Sequence, residues 1–190
     1  MEKTIQQYRQ ITEECRRIFE LKLQDYGPAW RILRMSSITD QIYIKANRIR
    51  TLQESQMRMV EEDEKPEFIG IFNYSIIALI NLQLGVSSNV DIDEKEALQL
   101  FDSHIQQAQE LMQRKNHDYG EAWRDMRISS ITDMILQKIL RIKQIEENSG
   151  KTKISEGLDA NYLDMVNYAV FALILLQENH NSVQQKEALT

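Results

Sequence analysis

Four lysines stand where a soluble helical protein ordinarily places apolar residues. Each falls on the apolar stripe of a predicted helix; they are Lys22, Lys45, Lys115 and Lys138. A buried ammonium group requires an anion nearby, unless its stem packs while its charge reaches water. Both readings stay open for Lys22 and Lys115, which lie near helix ends. Lys45 and Lys138 lie mid-helix between isoleucines, which favours an internal anion as their partner.

Carboxylates recur beside these lysines. Asp25 and Asp118 fall in the last turn of a predicted helix, where a negative charge opposes the helix dipole. Their recurrence predicts a role in pairing with a cation or in holding a metal. Asp40 and Asp133 end two copies of "SSITD", a pattern that predicts a capping box in which Ser37 or Ser130 is the N-cap. A metal-ligand role could coexist with capping.

The most apolar predicted helices contain polar residues as well. Asn73 and Asn167 are amides that need hydrogen bonds in such a setting. Asp164 precedes Asn167 by three residues and therefore shares its helix face, whereas Gly70 takes the equivalent place before Asn73. A buried structural pair with Lys or Arg is one interpretation of Asp164. No lysine is lost where Gly70 replaces the acid, which favours a ligand site over a structural pair.

Arginine and aromatic side chains complete the set. Arg31, Arg34 and Arg48 recur as Arg124, Arg127 and Arg141. A guanidinium suits phosphate oxygens, but it suits carboxylates equally, and structural pairing is favoured for any one of them. Aromatic rings could stack on a nucleobase, although a core position is favoured for each; they are Tyr26, Trp30, Tyr119 and Trp123.

These residues recur because the chain contains an internal repeat. "KLQDYGPAWRILRMSSITD" from Lys22 is matched by "KNHDYGEAWRDMRISSITD" from Lys115, 93 residues later. The third predicted helices match at a spacing of 94. The sequence therefore predicts two tandem units, residues 1–88 and 89–190, related by a pseudo-twofold axis. The second unit is favoured as the one that carries the site.

Each unit is predicted to contain three main helices. Gly27 and Gly120 follow the first helix of each unit, where a left-handed residue commonly ends a helix. A short helical turn is predicted around each Trp, and the third helix is apolar on nearly every side, which predicts burial. The segment "EEDEKPE" contains an E-x-x-E spacing but is predicted to be a loop. The fold class is all-α, with the two units packed face to face.

Composition limits the partners. The chain has 190 residues, one Cys and a formal net charge of −6. An acidic balance argues against a nucleic-acid polymer as partner, and a lone Cys favours a reducing, cytoplasmic compartment. The apolar run "YAVFALILL" is too short to span a bilayer, so no membrane partner is expected. A further homodimer is left open.

The motifs carry a resemblance to a known family. "K-x-x-D-Y-G-x-A-W", then "S-x-x-D", then "N-Y-A" resembles the DUF1599 family, also called nucleotide modification associated domain 1. That resemblance implies a link to the synthesis of modified nucleotides. The helical layout is also similar, more distantly, to the MazG-like all-α nucleoside triphosphate pyrophosphohydrolases, which hold Mg²⁺ with carboxylates on two adjacent helices. The E-x-x-E and E-x-x-D signatures of that group are replaced here by D-x-x-N and G-x-x-N.

Two functions compete at this point. In the first, the protein binds a small-molecule nucleotide and, if it is an enzyme, hydrolyses a nucleoside triphosphate to monophosphate and pyrophosphate. The predicted Mg²⁺ ligands are then Asp118, Asp133 and Asp164. The predicted substrate-binding residues are Lys115, Tyr119, Trp123, Arg124, Lys138, Arg141 and Asn167, with Lys22, Lys45 and Arg48 from the first unit. In the second, the chain is a helical scaffold whose repeated charges are internal salt bridges.

Overall fold

The structure is a computed structural model that describes residues 2–55, 63–149, 151 and 156–187. Within these ranges the chain is helical and contains no strand. The main helices are α1 (Glu2–Tyr26), α2 (Met35–Glu54), α3 (Lys65–Leu84), α4 (Glu94–Tyr119), α5 (Ile128–Glu147) and α6 (Leu158–Glu187). Two short 3-10 turns, Ala29–Ile32 and Ala122–Asp125, carry the two Trp residues. The all-α prediction is confirmed.

Glycine ends the first helix of each unit, as predicted. Gly27 and Gly120 follow α1 and α4 with φ of 60° and 68°. A side chain in this left-handed region costs about 1–2 kcal/mol, so glycine is the favoured residue there. The chain then turns into the 3-10 segment, where Trp30 lies near Phe19 of α1 and Trp123 stacks on Phe171 of α6.

The predicted capping boxes are wrong. Helices α2 and α5 begin at Met35 and Ile128, two residues before the predicted serine N-caps, and Arg34 and Arg127 precede them without a side-chain capping bond. Met35 and Ile128 pack against the core, so including them in the helix buries apolar surface that a serine cap would leave outside. Asp40 and Asp133 therefore lie beyond the first turn of their helices.

The two units share one core. Helix α3 packs against α6 and α2 packs against α5, while α1 contacts α6 and α4 contacts α3. A single cluster of buried residues draws on all six helices. Because each first helix contacts the third helix of the other unit, the repeats exchange contacts across the pseudo-twofold axis.

Helices α3 and α6 are apolar enough, by length and composition, to cross a membrane. The bilayer criterion applied to "YAVFALILL" alone was therefore too narrow. However, 67% of the apolar stretch of α3 and 78% of that of α6 is buried inside the protein. These helices form the centre of the core, and that position accounts for their composition.

Candidate functional site

Asp164 of the second unit is paired with lysines, which was the alternative to a ligand site in its interpretation from sequence. Asp164 of α6 is buried, and its two carboxylate oxygens accept from Lys115 Nζ at 2.5 Å and from Lys138 Nζ at 2.6 Å. The Lys138 side chain is 8% exposed and that of Lys115 is 46% exposed. One acid thus meets two cations from different helices, which leaves a local surplus of positive charge. Lys138 is the buried cation of this triad, and Lys115 is the solvent-exposed one.

A cavity of about 150 Å³ opens beside this triad. Asp164 and Lys115 form part of its wall, and Asn116 adds a buried amide. The other lining residues are mostly apolar or aromatic: Met112, Tyr119, Gly120, Ala122, Trp123, Asn167, Tyr168 and Phe171. A small apolar pocket with a few converging polar groups is the usual form of a small-molecule site.

Aromatic rings give the cavity a rigid wall. Trp123 stacks on Phe171 with centroids 4.2 Å apart and planes 5° from parallel. Tyr119 is 80% exposed at the rim, and Tyr168 is half-buried. Burial, reinforced by the charge of Asp164, raises the pKa of Tyr168 to about 12, whereas Arg141 acts to lower it. Tyr168 is therefore a neutral hydroxyl at physiological pH, and Arg141 brings a further positive charge to its surroundings.

Asn167 lies at the base of the site and is held by its neighbours. Its Nδ2 donates to the carbonyl of Ala108 at 3.1 Å, and its Oδ1 accepts from the hydroxyl of Tyr8 at 2.8 Å. Both ends of the amide are thus used within the protein. The residue fixes α6 against α4 and α1, and it acts on the site by positioning rather than by offering free hydrogen bonds.

Two predicted arginines are used for internal contacts. Arg124 donates to Glu121, Thr4 and Gln7, and it also reaches Glu178 at 3.4 Å. It therefore ties the second 3-10 turn to α1 and α6 and does not line the cavity. Its repeat partner Arg31 is 1% exposed.

Arg31 is held by a different set of groups. It donates to Asp91 at 2.7 Å, to Asn81 at 2.6 Å and to the carbonyl of Gly85 at 2.9 Å. These partners lie at the end of α3 and in the linker between the units. Structural pairing accounts for the arginine in both copies.

The three predicted Mg²⁺ ligands are not brought together. Asp118 is exposed and lies 3.1 Å from His117, Asp133 is exposed with Arg50 at 3.9 Å, and Asp164 is held by the two lysines. Among the residues that the structure describes, no group of three His, Cys, Asp or Glu could hold a metal ion. The described part of the chain therefore does not fit a Mg²⁺ ion held by the protein alone.

The first unit arranges its counterparts differently. Lys22 is exposed, as the snorkelling interpretation expects. Lys45 Nζ lies 3.3 Å from Glu67, whose other oxygen lies 3.5 Å from Arg48. Glu67 belongs to α3, so the assignment of "EEDEKPE" entirely to a loop is wrong at its C-terminal end. Pro66 sits at the start of α3, where proline is well tolerated.

Glu67 also corrects the charge-balance argument. Its repeat partner is Asn161, so in each unit one acid of the third helix pairs with the lysine of the second helix, at Glu67 in the first unit and one turn later, at Asp164, in the second. Glu67 therefore compensates for the glycine at position 70, and the presence of an acid at position 164 alone does not favour a ligand site. Sequence reasoning missed Glu67 because it was placed in a loop. The repeat does not single out Asn116, because the equivalent position in the first unit is Leu23.

Comparison with protein families agrees with the repeat. The family model described as nucleotide modification associated domain 1 matches residues 22–82 and 115–176, one segment in each half of the chain. The chain belongs to this family, DUF1599. No curated protein and no solved structure gives a significant match. The similarity to MazG-like enzymes therefore remains a prediction, whereas the tandem family domains are shown.

Proposed function

We propose that this DUF1599 protein binds a nucleotide in the cavity beside Asp164, as part of the metabolism of modified nucleotides. The observation that carries the proposal is the triad itself. A buried carboxylate between two lysines forms the edge of an aromatic-walled cavity. An enclosed salt bridge alone is weak support for stability, but here its half-exposed lysine faces a space that a ligand can enter.

The dimensions favour the base as the enclosed part. A cavity of about 150 Å³ is the size that accepts one benzene-like ring. Trp123, Tyr168 and Phe171 supply flat apolar surface for such a ring. Asn116 and Asp164 supply hydrogen-bonding groups at its edge. We therefore expect a pyrimidine nucleotide to bind more tightly than the corresponding purine nucleotide, since a single ring fits a cavity of this size with less movement of its walls than a bicyclic base.

The phosphates would then remain at the mouth of the cavity. Lys115 is half-exposed there, and Arg141 is exposed near Tyr168. Lys138 would keep Asp164 neutralised when Lys115 turns toward a phosphate. Mg²⁺ would enter with the phosphates, because this ion is commonly held by substrate oxygens and few protein ligands. We propose no hydrolytic step, since the described carboxylates do not form a metal cage.

Thermal unfolding with a panel of nucleoside triphosphates, with and without Mg²⁺, tests this proposal. A ligand at one hundred times its Kd stabilises the native state by about 2.7 kcal/mol. We expect pyrimidine nucleotides to raise the Tm of the wild type and to have a weaker effect on Lys115→Gln. Lys22→Gln is the matched control, because it makes the same change at the exposed repeat partner.

Two outcomes would change the conclusion. If no nucleotide raises the Tm of the wild type, the scaffold function is the better account, and the internal contacts of Arg31 and Arg124 agree with it. If pyrophosphate is released in a Mg²⁺-dependent manner and the release is abolished by Asp164→Asn, binding without hydrolysis is wrong and the protein is an enzyme.

A further inference from the structure

The acid that pairs with the lysine of the second helix lies on a different turn of the third helix in each unit. In the first unit the acid is Glu67, and position 70 is glycine. In the second unit the equivalent positions are Asn161 and Asp164. The lysine of the second helix is present in both units as Lys45 and Lys138. The same cation therefore meets an acid that is displaced by one helical turn.

This displacement changes what fills the space beside the third helix. A Cβ atom built on Gly70 would lie 2.5 Å from Cδ and 2.6 Å from Cε of Lys45. The Lys45 side chain thus lies directly against the helix where the second unit has the side chain of Asp164. Glu67 holds its ammonium group there at 3.3 Å. The lysine of the first unit occupies the position of an acid.

The neighbouring walls also lose polar groups in the first unit. Leu23 stands in place of Asn116, and Ile77 stands in place of Phe171. Leu23 is 2% exposed and Ile77 is 6% exposed. The first unit therefore lacks the carboxylate, the amide and one aromatic ring that line the cavity of the second.

We propose that the residue pair at positions 67 and 70, compared with 161 and 164, determines which unit binds the nucleotide. Each chain then binds one nucleotide, in the second unit. In the first unit the Lys45 side chain fills the equivalent space. This inference depends on the proposed function, and it adds the specificity-determining residues and the stoichiometry.

The arrangement around Gly70 allows an aspartate to be introduced there. The atoms that block position 70 are the far end of a flexible side chain, which can move without displacing the backbone. In the double variant Glu67→Asn/Gly70→Asp, Lys45 loses its acid at position 67 and gains one at position 70, as Lys138 has in the wild type. The reciprocal double variant is Asn161→Glu/Asp164→Gly.

Titration calorimetry with dCTP and Mg²⁺ measures the stoichiometry. We expect one dCTP per chain for the wild type, none for Asn161→Glu/Asp164→Gly, and a second dCTP for Glu67→Asn/Gly70→Asp, bound more weakly because Leu23 and Ile77 remain. Two molecules of dCTP on the wild type would overturn the inference alone. No dCTP on any of the three proteins would overturn the proposed function and the inference together.

A measurement without ligand tests the exchange of partners separately. In the wild type, a double-mutant cycle of Lys45→Met and Glu67→Gln should show a coupling of about two- to fivefold in the unfolding equilibrium constant, as for partly exposed ion pairs. In the Glu67→Asn background, Gly70→Asp should couple to Lys45 and Gly70→Asn should not. If that coupling is absent, Lys45 has not changed its partner. This result overturns the inference even if dCTP binds the second unit.

Discussion

Asn73 and Asn167 are repeat partners in different hydrogen-bonding environments. Each donates its Nδ2 to a carbonyl of the first helix of its own unit, from Asn73 to Cys15 at 3.3 Å and from Asn167 to Ala108 at 3.1 Å. The Oδ1 of Asn167 also accepts from Tyr8, whereas the buried Oδ1 of Asn73 has no hydrogen-bond partner among the residues that the structure describes. The reason is in the sequence, since the repeat partner of Tyr8 is Phe101, which has no hydroxyl group.

This difference predicts opposite effects for two exchanges. Tyr8→Phe leaves a second buried oxygen without a donor and should lower the free energy of unfolding by about 1–3 kcal/mol. Phe101→Tyr adds the missing donor near Asn73 and should raise it by about 1 kcal/mol. Urea denaturation of both variants measures the changes. Destabilisation by Phe101→Tyr would show that the core there cannot admit a hydroxyl group.

A second residue-scale prediction concerns Glu146. It accepts a hydrogen bond from Thr39 at 2.8 Å, and burial raises its pKa above the ordinary value of 4.5. The folded state therefore binds a proton more tightly than the unfolded state, so this group contributes stability at low pH that is lost as pH rises through the raised pKa. The repeat partner of Glu146 is Gln53, an uncharged amide that donates to Thr132 at 3.1 Å.

Glu146→Gln should remove that loss of stability. We expect the variant to be at least as stable as the wild type at pH 7 and to show a smaller decline in Tm between pH 4.5 and pH 7. Thermal unfolding across this pH range measures the difference, with Glu147→Gln, an exposed neighbour, as control. An unchanged pH dependence would mean that Glu146 is solvated in the folded protein.

At the scale of elements, the repeated arginine is an anchor that uses different partners in each unit. Arg31 joins the first 3-10 turn to the end of α3 and to the linker through Asp91, while Arg124 joins the second turn to α1 and α6. Arg31 is almost fully buried, and Arg124 is 21% exposed. The two residues thus hold the Trp-bearing turns in place without facing the cavity.

Removing these anchors should have unequal costs. Arg31→Ala leaves the buried Oδ1 of Asn81 without its donor, and an unsatisfied buried polar group costs about 1–3 kcal/mol. Asp91 is 46% exposed, so water replaces Arg31 as its partner and the broken ion pair adds little to this cost. Arg124→Ala should cost less, because water can reach its partners. Chemical denaturation compares the two, and equal costs would contradict the burial difference.

The elements also explain what the sequence could predict. Helix count, the glycine stops, the Trp turns and the buried third helices follow from local patterns, since apolar spacing and backbone preferences act over a few residues. The start of α2 at Met35 did not follow, because core packing of an apolar side chain outweighed a serine cap. Asp164, Lys115 and Lys138 were each predicted as site residues, but Asn116, Tyr168 and Phe171 join them only through tertiary packing.

At the scale of the whole molecule, neither unit has a complete core of its own. The third helix of each unit is covered by the third helix and the first helix of the other. Fragments 1–88 and 89–190, expressed separately, should therefore lack cooperative unfolding, and mixing them should restore a single transition. Circular dichroism during heating measures this, and cooperative unfolding of either fragment alone would contradict the shared core.

The central claim is that a nucleotide base enters the cavity beside Asp164, and Trp123 reports on that cavity directly. In Trp30→Phe the remaining indole is Trp123, which lines the cavity and stacks on Phe171. Titration of this variant with dCTP and Mg²⁺ should quench the tryptophan fluorescence to saturation, and Lys115→Gln added to it should shift the curve to higher concentration. Fluorescence that does not change up to millimolar dCTP would contradict the account.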